Sequence, residues 1–176
     1  MAARPIPAPL LSDGSVTLRQ SEPADLPTIA AGIRDPDVIR WVGPPEGDAV
    51  DILALNRERW MSGSPTLSIC ERDGLCVGLV WVNVSEGDGA TGSVGYWLLP
   101  SGRGRGLATR AVLLISGWAV NELGLTNVRL TAHRDNNRSR RVADRSGFSQ
   151  TGVLHRTTVD GMPLDEVIYE LPRPAT

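Results

Sequence analysis

The stretch "LLPSGRGRGLATRAVLLISGWAV", residues 98–120, constrains the chain more than any other. Three glycines alternate with arginines directly after a strand-like segment, "SVGYWLL", and directly before an apolar run at helical spacing. A helix N-terminus presents unpaired N–H groups and a partial positive charge, so it attracts anions. Glycine removes the side chains that would hold a phosphate away from those N–H groups, and arginine adds charge. A plain surface turn between strand and helix fits the same residues, and these alone do not separate the two readings.

Charge elsewhere narrows the choice. The formal net charge is −2 and the sequence pI about 5.7, so nothing pulls the whole chain toward nucleic acid or an anionic membrane. All 18 basic residues are Arg, and nine fall between Arg103 and Arg145, opposed there only by Glu122, Asp135 and Asp144. A P-loop is excluded because the chain has no Lys. The dinucleotide pattern G-x-G-x-x-G fails as well. Its last position is Thr109 when counted from Gly104, and Leu107 when counted from Gly102. Within the Arg-rich region Trp118 is the only aromatic before Phe148, and it lies on the apolar side of its helix, which disfavours nucleic-acid binding.

The rest of the chain reads as one α/β domain over 14–171, between loose ends at 1–13 and 172–176. "VTLRQ" reads as a strand, and "SEPADLPTIAAGI" as a helix started by Ser21 with Pro23 in its first turn. A loop over 34–48 leads to a second helix near 48–61. "TLSICE" and "LCVGLVWVNV", joined through Asp73-Gly74, and then "SVGYWLL" form an antiparallel meander. The glycine loop and a helix of roughly 18 residues ending near Gly124 come next. "NVRLTAH" alternates as a strand, "NNRSRRVADRS" is a short helix stopped by Gly147, and two strands joined through "VDGM" finish the domain. The predicted order is βααβββαβαββ, with a mixed, mainly antiparallel sheet. Cys70 and Cys76 read as two small buried hydrophobes on neighbouring strands of a reduced protein. No apolar run reaches the ~18 residues of a membrane span and no signal peptide is evident, so a cytoplasmic location is expected.

Arg103-x-x-Gly106-x-Ala108 resembles the pyrophosphate-binding signature of the GNAT family of N-acetyltransferases, [RQ]-x-x-G-x-[GA]. "SVGYWLLPSGRGRGLATRA", with its Tyr-Trp pair and Pro100, resembles that family's fourth strand and third helix. "NNRSRRVADRSGF" is similar to its later block N-x-x-S followed by a helix and Gly-Phe, which aligns Asn136, Ser139, Gly147 and Phe148. The branch resembled is the RimJ/RimL-like one, which acetylates N-termini of ribosomal proteins.

The resemblance implies acetyl-CoA as donor, a primary amine as acceptor, direct transfer and no metal. It implies that strands four and five splay and that the pantetheine arm enters between them, along Trp97 and Leu98. Backbone N–H groups from Arg103 through Gly104, Arg105, Gly106, Leu107 and Ala108 to Thr109 would cradle the pyrophosphate. The Arg103 and Arg105 side chains would either add charge or stay solvated. The N–H of Leu98 would stabilise the thioester oxygen, and Asn136 would hold the pantetheine arm. Many relatives place a Tyr in the fourth helix to protonate the leaving thiolate, but that position is Ala143 here. Ser139 is then the candidate acid, with a helix-capping or first-turn hydroxyl as the equal alternative.

The general base stays open: Ser93 stands where relatives carry Glu, and Glu71, Asp165 or Glu166 would otherwise serve. Asp165, with Trp41 of the 34–48 loop, is the choice for the acceptor side; Trp41 would equally plug the core edge. An α-amine needs little base, since its pKa is ~7.7–8.0 against ~10.4 for Lys. A peptide or protein N-terminus is therefore the expected acceptor. A small amine remains open because Asp35, Asp37, Glu46 and Asp48 could attract a cation, and so does a silent acyl-CoA-binding module. His133 and His155 have no metal-ligand spacing. A homodimer is possible on this sequence, which decides neither for nor against it.

Overall fold

The computed structural model describes residues 10–85, 91–157 and 163–171. Residues 1–9 of the N-terminus expected to be loose over 1–13, the tail at 172–176, most of the "SEGDGATG" turn and the "VDGM" turn lie outside the described residues. The elements in chain order are β1 (Leu11–Ser12), β2 (Val16–Gln20), a 3₁₀ turn (Pro23–Asp25), α1 (Leu26–Gly32), α2 (Pro36–Val42) and α3 (Ala49–Met61). Then come β3 (Thr66–Glu71), β4 (Cys76–Val84), β5 (Thr91–Leu98), α4 (Leu107–Glu122), β6 (Asn127–His133), α5 (Asn137–Arg145), β7 (Ser149–Thr157) and β8 (Pro163–Glu170).

The eight strands form one sheet in the order β1-β2-β3-β4-β5-β6-β8-β7. Every neighbouring pair is antiparallel except β5–β6. The mixed, mainly antiparallel α/β architecture is as expected, and three local readings are corrected. Leu11–Ser12 is a short strand inside the segment expected to be loose. Ser21 does not start a helix: Glu22 caps a 3₁₀ turn, and the Ser21 hydroxyl is buried, accepting from Asn56 and donating to Ser68. The 34–48 loop contains α2, begun by an Asp35 cap accepting from the Val38 N–H, with Pro36 at the first helical position. Trp41 is therefore a helix residue.

Two apolar layers flank the sheet. On one side α4 buries Ala108, Ala111, Val112, Ile115, Trp118 and Ala119, the spacing of one helix face. They pack on Leu18, Ile69, Val80, Val94 and Leu130. On the other side Ile29, Val38 and Leu53 from the first three helices pack on Leu79 and Trp97. Burying each large aliphatic chain contributes about 1.5–3 kcal/mol relative to exposure. Cys70 and Cys76 are free, buried and opposite each other across β3 and β4.

Candidate active site

The site follows from an interrupted strand pairing. β5 and β6 pair over only three residues, Thr91↔Asn127, Gly92↔Val128 and Ser93↔Arg129, and then part. The far halves of both strands keep their outer neighbours: β5 stays on β4 to Leu98, and β6 stays on β8 to His133. A wedge therefore opens between Gly95–Leu98 and Leu130–His133, as the resemblance implied.

Register decides which backbone groups face the wedge. The Leu99 N–H donates to Val77 O at 2.9 Å and the Ser85 N–H to Thr91 O at 2.8 Å, so the odd-numbered residues of β5 bond to β4. The N–H and C=O of Tyr96 and Leu98 then face the wedge. Trp97 does not contribute its backbone as expected. It pairs with Leu79, and its indole packs into the second apolar layer, where a Cβ at Gly32 would collide with it. By the same parity, with the Leu171 N–H on Val128 O and the Arg134 N–H on Asp165 O, Thr131 and His133 face the wedge from β6.

The glycine loop lies past the end of β5. Gly104 (φ 74°) and Gly106 (φ 77°) both occupy the left-handed region, and Gly106 is the N-cap of α4. Neither has an atom within 4 Å of where a Cβ would sit, so glycine is needed for conformation and not for space. The N–H groups of the first turn of α4 cannot bond within the helix, and alternating left-handed residues turn their neighbours inward as an anion nest. Gly106→Ala forces a costly left-handed residue, or a relaxed loop that loses the nest. It is expected to weaken acetyl-CoA binding by about tenfold, measured by calorimetry. Beside the loop, Asp13, Gly106, Thr109, Arg110, Leu113, Leu114 and Arg145 line an open groove of about 580 Å³, in which Asp13 holds Arg110 at 2.7 Å.

Neither loop arginine is a free cation. Arg103 donates to Leu98 O at 2.8 Å through Nε, and its two terminal nitrogens hold Asp37 (2.9 Å) and Asp35 (2.6 Å). It fastens α2 to the end of β5. Arg105, about half exposed, pairs with Glu71 through two contacts of 2.6 Å. The anion site therefore rests on backbone N–H groups, with the side-chain charge spent elsewhere. Arg138 of α5 also reaches Asp37, at 3.4 Å, so α2 is tied to both sides of the wedge. Trp41 of α2 then meets His133, with ring centroids 5.3 Å apart, while Arg40 lies 4.4 Å over the indole.

Asn136 caps α5 by accepting from the Ser139 N–H at 3.1 Å. Ser139 is thus not the cap, and its hydroxyl is released for another partner. That partner is Tyr96, whose hydroxyl donates to Ser139 Oγ at 3.3 Å. The Asn136 side-chain oxygen is committed to the cap, leaving its NH₂ for a ligand. Sequence patterns missed Tyr96 as a site residue. Its only signal was the Tyr-Trp pair, with no way to show which ring turns toward α5.

The carboxylates proposed as bases are all paired. Asp165, expected on the acceptor side, is bound by His155 at 2.7 Å and Arg134 at 3.0 Å, and the His155 hydrogen bond holds its carboxyl below the usual range. It neighbours Val167 on the face that carries α4, opposite to Trp41. Glu166, register partner of His133, shares the Trp41 face and pairs with Arg156 at 3.3 Å. Among the described residues no group of three His, Cys, Asp or Glu could hold a metal ion, and no helix is long and apolar enough to cross a membrane.

A family model described as an acetyltransferase (GNAT) domain matches residues 15–149. The chain belongs to the GNAT acetyltransferase family. This GNAT chain is 31% identical over 100 residues to YdaF of Bacillus subtilis (strain 168), a match covering 56% of this chain and 55% of YdaF. The chain thus spans about half the length of that relative. Its fold resembles Mycobacterium smegmatis RimJ in complex with CoA-disulfide (TM-score 0.76, 24% identity, 94% and 87% of the two chains). It also resembles the microcin C7 self-immunity acetyltransferase MccE in complex with acetyl-CoA and AMP (TM-score 0.76, 21% identity, 94% and 97%). An N-acetyltransferase of this family uses acetyl-CoA as its acetyl donor. The nest at Gly104 and Gly106 and the strand edge left by β6, with the backbone of Tyr96 and the N–H of Leu98, fit the two polar parts of that donor, pyrophosphate and pantetheine amides.

Proposed function

We propose that the protein transfers an acetyl group from acetyl-CoA to the α-amine of a peptide or protein N-terminus, as in the RimJ/RimL-like branch. Acetyl-CoA supplies an activated thioester; the chain binds it, orients it and takes up charge. The N–H groups of residues 104–109 hold the pyrophosphate. The groove with Arg110 and Arg145 takes the nucleotide end, with the apolar faces of Leu113 and Leu114 beneath it. The Leu98 N–H points at the thioester oxygen, where a fixed donor in a dry wedge lowers the barrier most. The Asn136 NH₂ holds the pantetheine arm, and Ser139 donates to the departing sulfur.

The observation that carries the choice of acceptor is the pairing of the carboxylates. Glu71, Asp165 and Glu166 are each held by arginine or histidine, so none is available as a strong base. An α-amine with a pKa of ~7.7–8.0 is partly neutral at pH 7 and reacts without one, whereas a Lys side chain at ~10.4 does not. The acidic pair Asp35 and Asp37 is likewise paired, with Arg103 and Arg138, which weakens the attraction a polycationic small amine would need. YdaF, provisionally named for ribosomal N-acetylation, supports the same reading.

Release of CoA thiol should be saturable with peptides bearing free Ser, Ala or Met N-termini and absent with the same peptides blocked. Release confined to polyamines or aminoglycosides would move the acceptor to the small-amine class, and the α-amine reading would be abandoned.

A further inference from the structure

Tyr96 has a polar contact that the proposed chemistry has not used. Its ring packs against the α4 layer, on the same side of β5 as Val94 and Leu98, two positions before the donor at Leu98. Its hydroxyl donates to Ser139 Oγ at 3.3 Å. The Ser139 N–H is taken by the Asn136 cap, so among the described residues Tyr96 is the partner of the Ser139 hydroxyl.

These contacts have a directional consequence. A hydroxyl carries one proton and two lone pairs. With one lone pair filled by Tyr96, the serine proton is the one group of this pair still able to donate. Without Tyr96 the serine would sample three rotamers and a freely turning O–H. A donor that is itself accepting is also polarised, which strengthens the bond it makes. Burial pushes the Tyr96 phenol above its ordinary pKa, against the opposing Ser139 hydrogen bond, so it remains a donor through neutral and mildly alkaline pH.

We infer that Tyr96 is a positioning residue which holds the Ser139 hydroxyl as a one-way hydrogen-bond donor to the sulfur of CoA. This rests on Ser139 as the donor to that sulfur. No proton need leave Tyr96: the C–S electron pair goes to sulfur, Ser139 O–H hydrogen-bonds that charge, and the thiolate takes its proton from the amine or solvent as CoA departs.

The test reads the sulfur directly and needs no acceptor. CoA labelled with ¹³C at the carbon bonded to sulfur is bound to the whole protein, and its chemical shift is followed against pH. In the wild type the bound thiol should titrate below free CoA measured in the same buffer. Tyr96→Phe and Ser139→Ala should each raise the midpoint by about one pH unit, and the double variant no further than Ser139→Ala alone. In turnover with a reactive peptide, Tyr96→Phe should lower kcat by about tenfold with KM for acetyl-CoA unchanged. A shift in Ser139→Ala alone overturns the inference and leaves the serine reading standing. No shift in either variant overturns both, and additive shifts overturn the route through Ser139. Thermal melting of Tyr96→Phe, which keeps the ring, should stay within a few degrees of wild type, and a larger drop would assign Tyr96 a packing role.

Discussion

Replacing leucine 98 by its α-hydroxy acid, so that the peptide N–H becomes an ester oxygen, is expected to lower kcat by about 10²–10³-fold. The substitution is selective because of register. Leu98 stands opposite Gly78 at a position that does not bond to β4, and β6 has already parted from β5 at Ser93. Its N–H therefore holds no strand in place. The carbonyl of the same residue, held by Arg103, is untouched. The side chain remains in the α4 layer. Stability should change by no more than about 1 kcal/mol, from the weaker acceptor at the Trp97 carbonyl. Steady-state kinetics with the preferred peptide checks the outcome. A kcat within twofold of wild type would remove Leu98 from the chemistry and leave the wedge as a binding slot only.

The largest stability effect belongs to a residue away from the site. Asp25→Ala is expected to destabilise the fold by about 3–5 kcal/mol, the usual range when one partner of a buried ion pair is removed. The Asp25 side chain is 2% exposed and accepts two bonds from Arg19, at 2.7 and 2.8 Å. It also accepts from the Ser68 hydroxyl at 2.8 Å and the Glu22 N–H at 2.9 Å. This cluster joins β2, β3 and the turn into α1, and its loss strands a guanidinium that is only partly reached by water. Burial alone would push the Asp25 carboxyl up, but the bonds from Arg19, Glu22 and Ser68 outweigh it and hold the group below its ordinary value. A carboxyl whose folded pKa is depressed stabilises the fold fully above its unfolded value of about 3.9. That contribution disappears as pH falls toward the folded value. Urea denaturation between neutral pH and pH 3 should therefore show a shallower acid decline in the variant than in wild type. Parallel declines would show that Asp25 is not the titrating group.

The order of most strands and helices was legible because each carries its own period and its own punctuation. Asp73-Gly74 turns the first hairpin, Gly124 ends α4, and Gly104 and Gly106 open it, each with a positive φ. The Arg103-x-x-Gly106-x-Ala108 signature was legible for the same reason, since an anion nest is a local backbone property. α2 escaped because a seven-residue helix shows barely two turns of periodicity; its Asp35-Pro36 start was a signal that a loop could equally carry.

Side-chain partnerships were not legible. Whether an arginine near a phosphate loop is free depends on carboxylates 66 and 68 residues away for Arg103, and 34 residues away for Arg105. The sequence by itself determined the backbone devices of this protein: strand, glycine nest, helix start and the cap at Asn136, all made within a few residues. Only the tertiary structure decided which polar groups remain unspent at the wedge. Parity along β5 exposes Leu98 and withdraws Trp97. Packing brings Tyr96 to Ser139 across 43 residues. Ion pairing removes Arg103, Arg105, Glu71 and Asp165 from the pool of free charges. Hydrogen bonds and ion pairs are satisfied by whatever lies within about 3 Å, and that neighbourhood is set by the fold and not by chain distance.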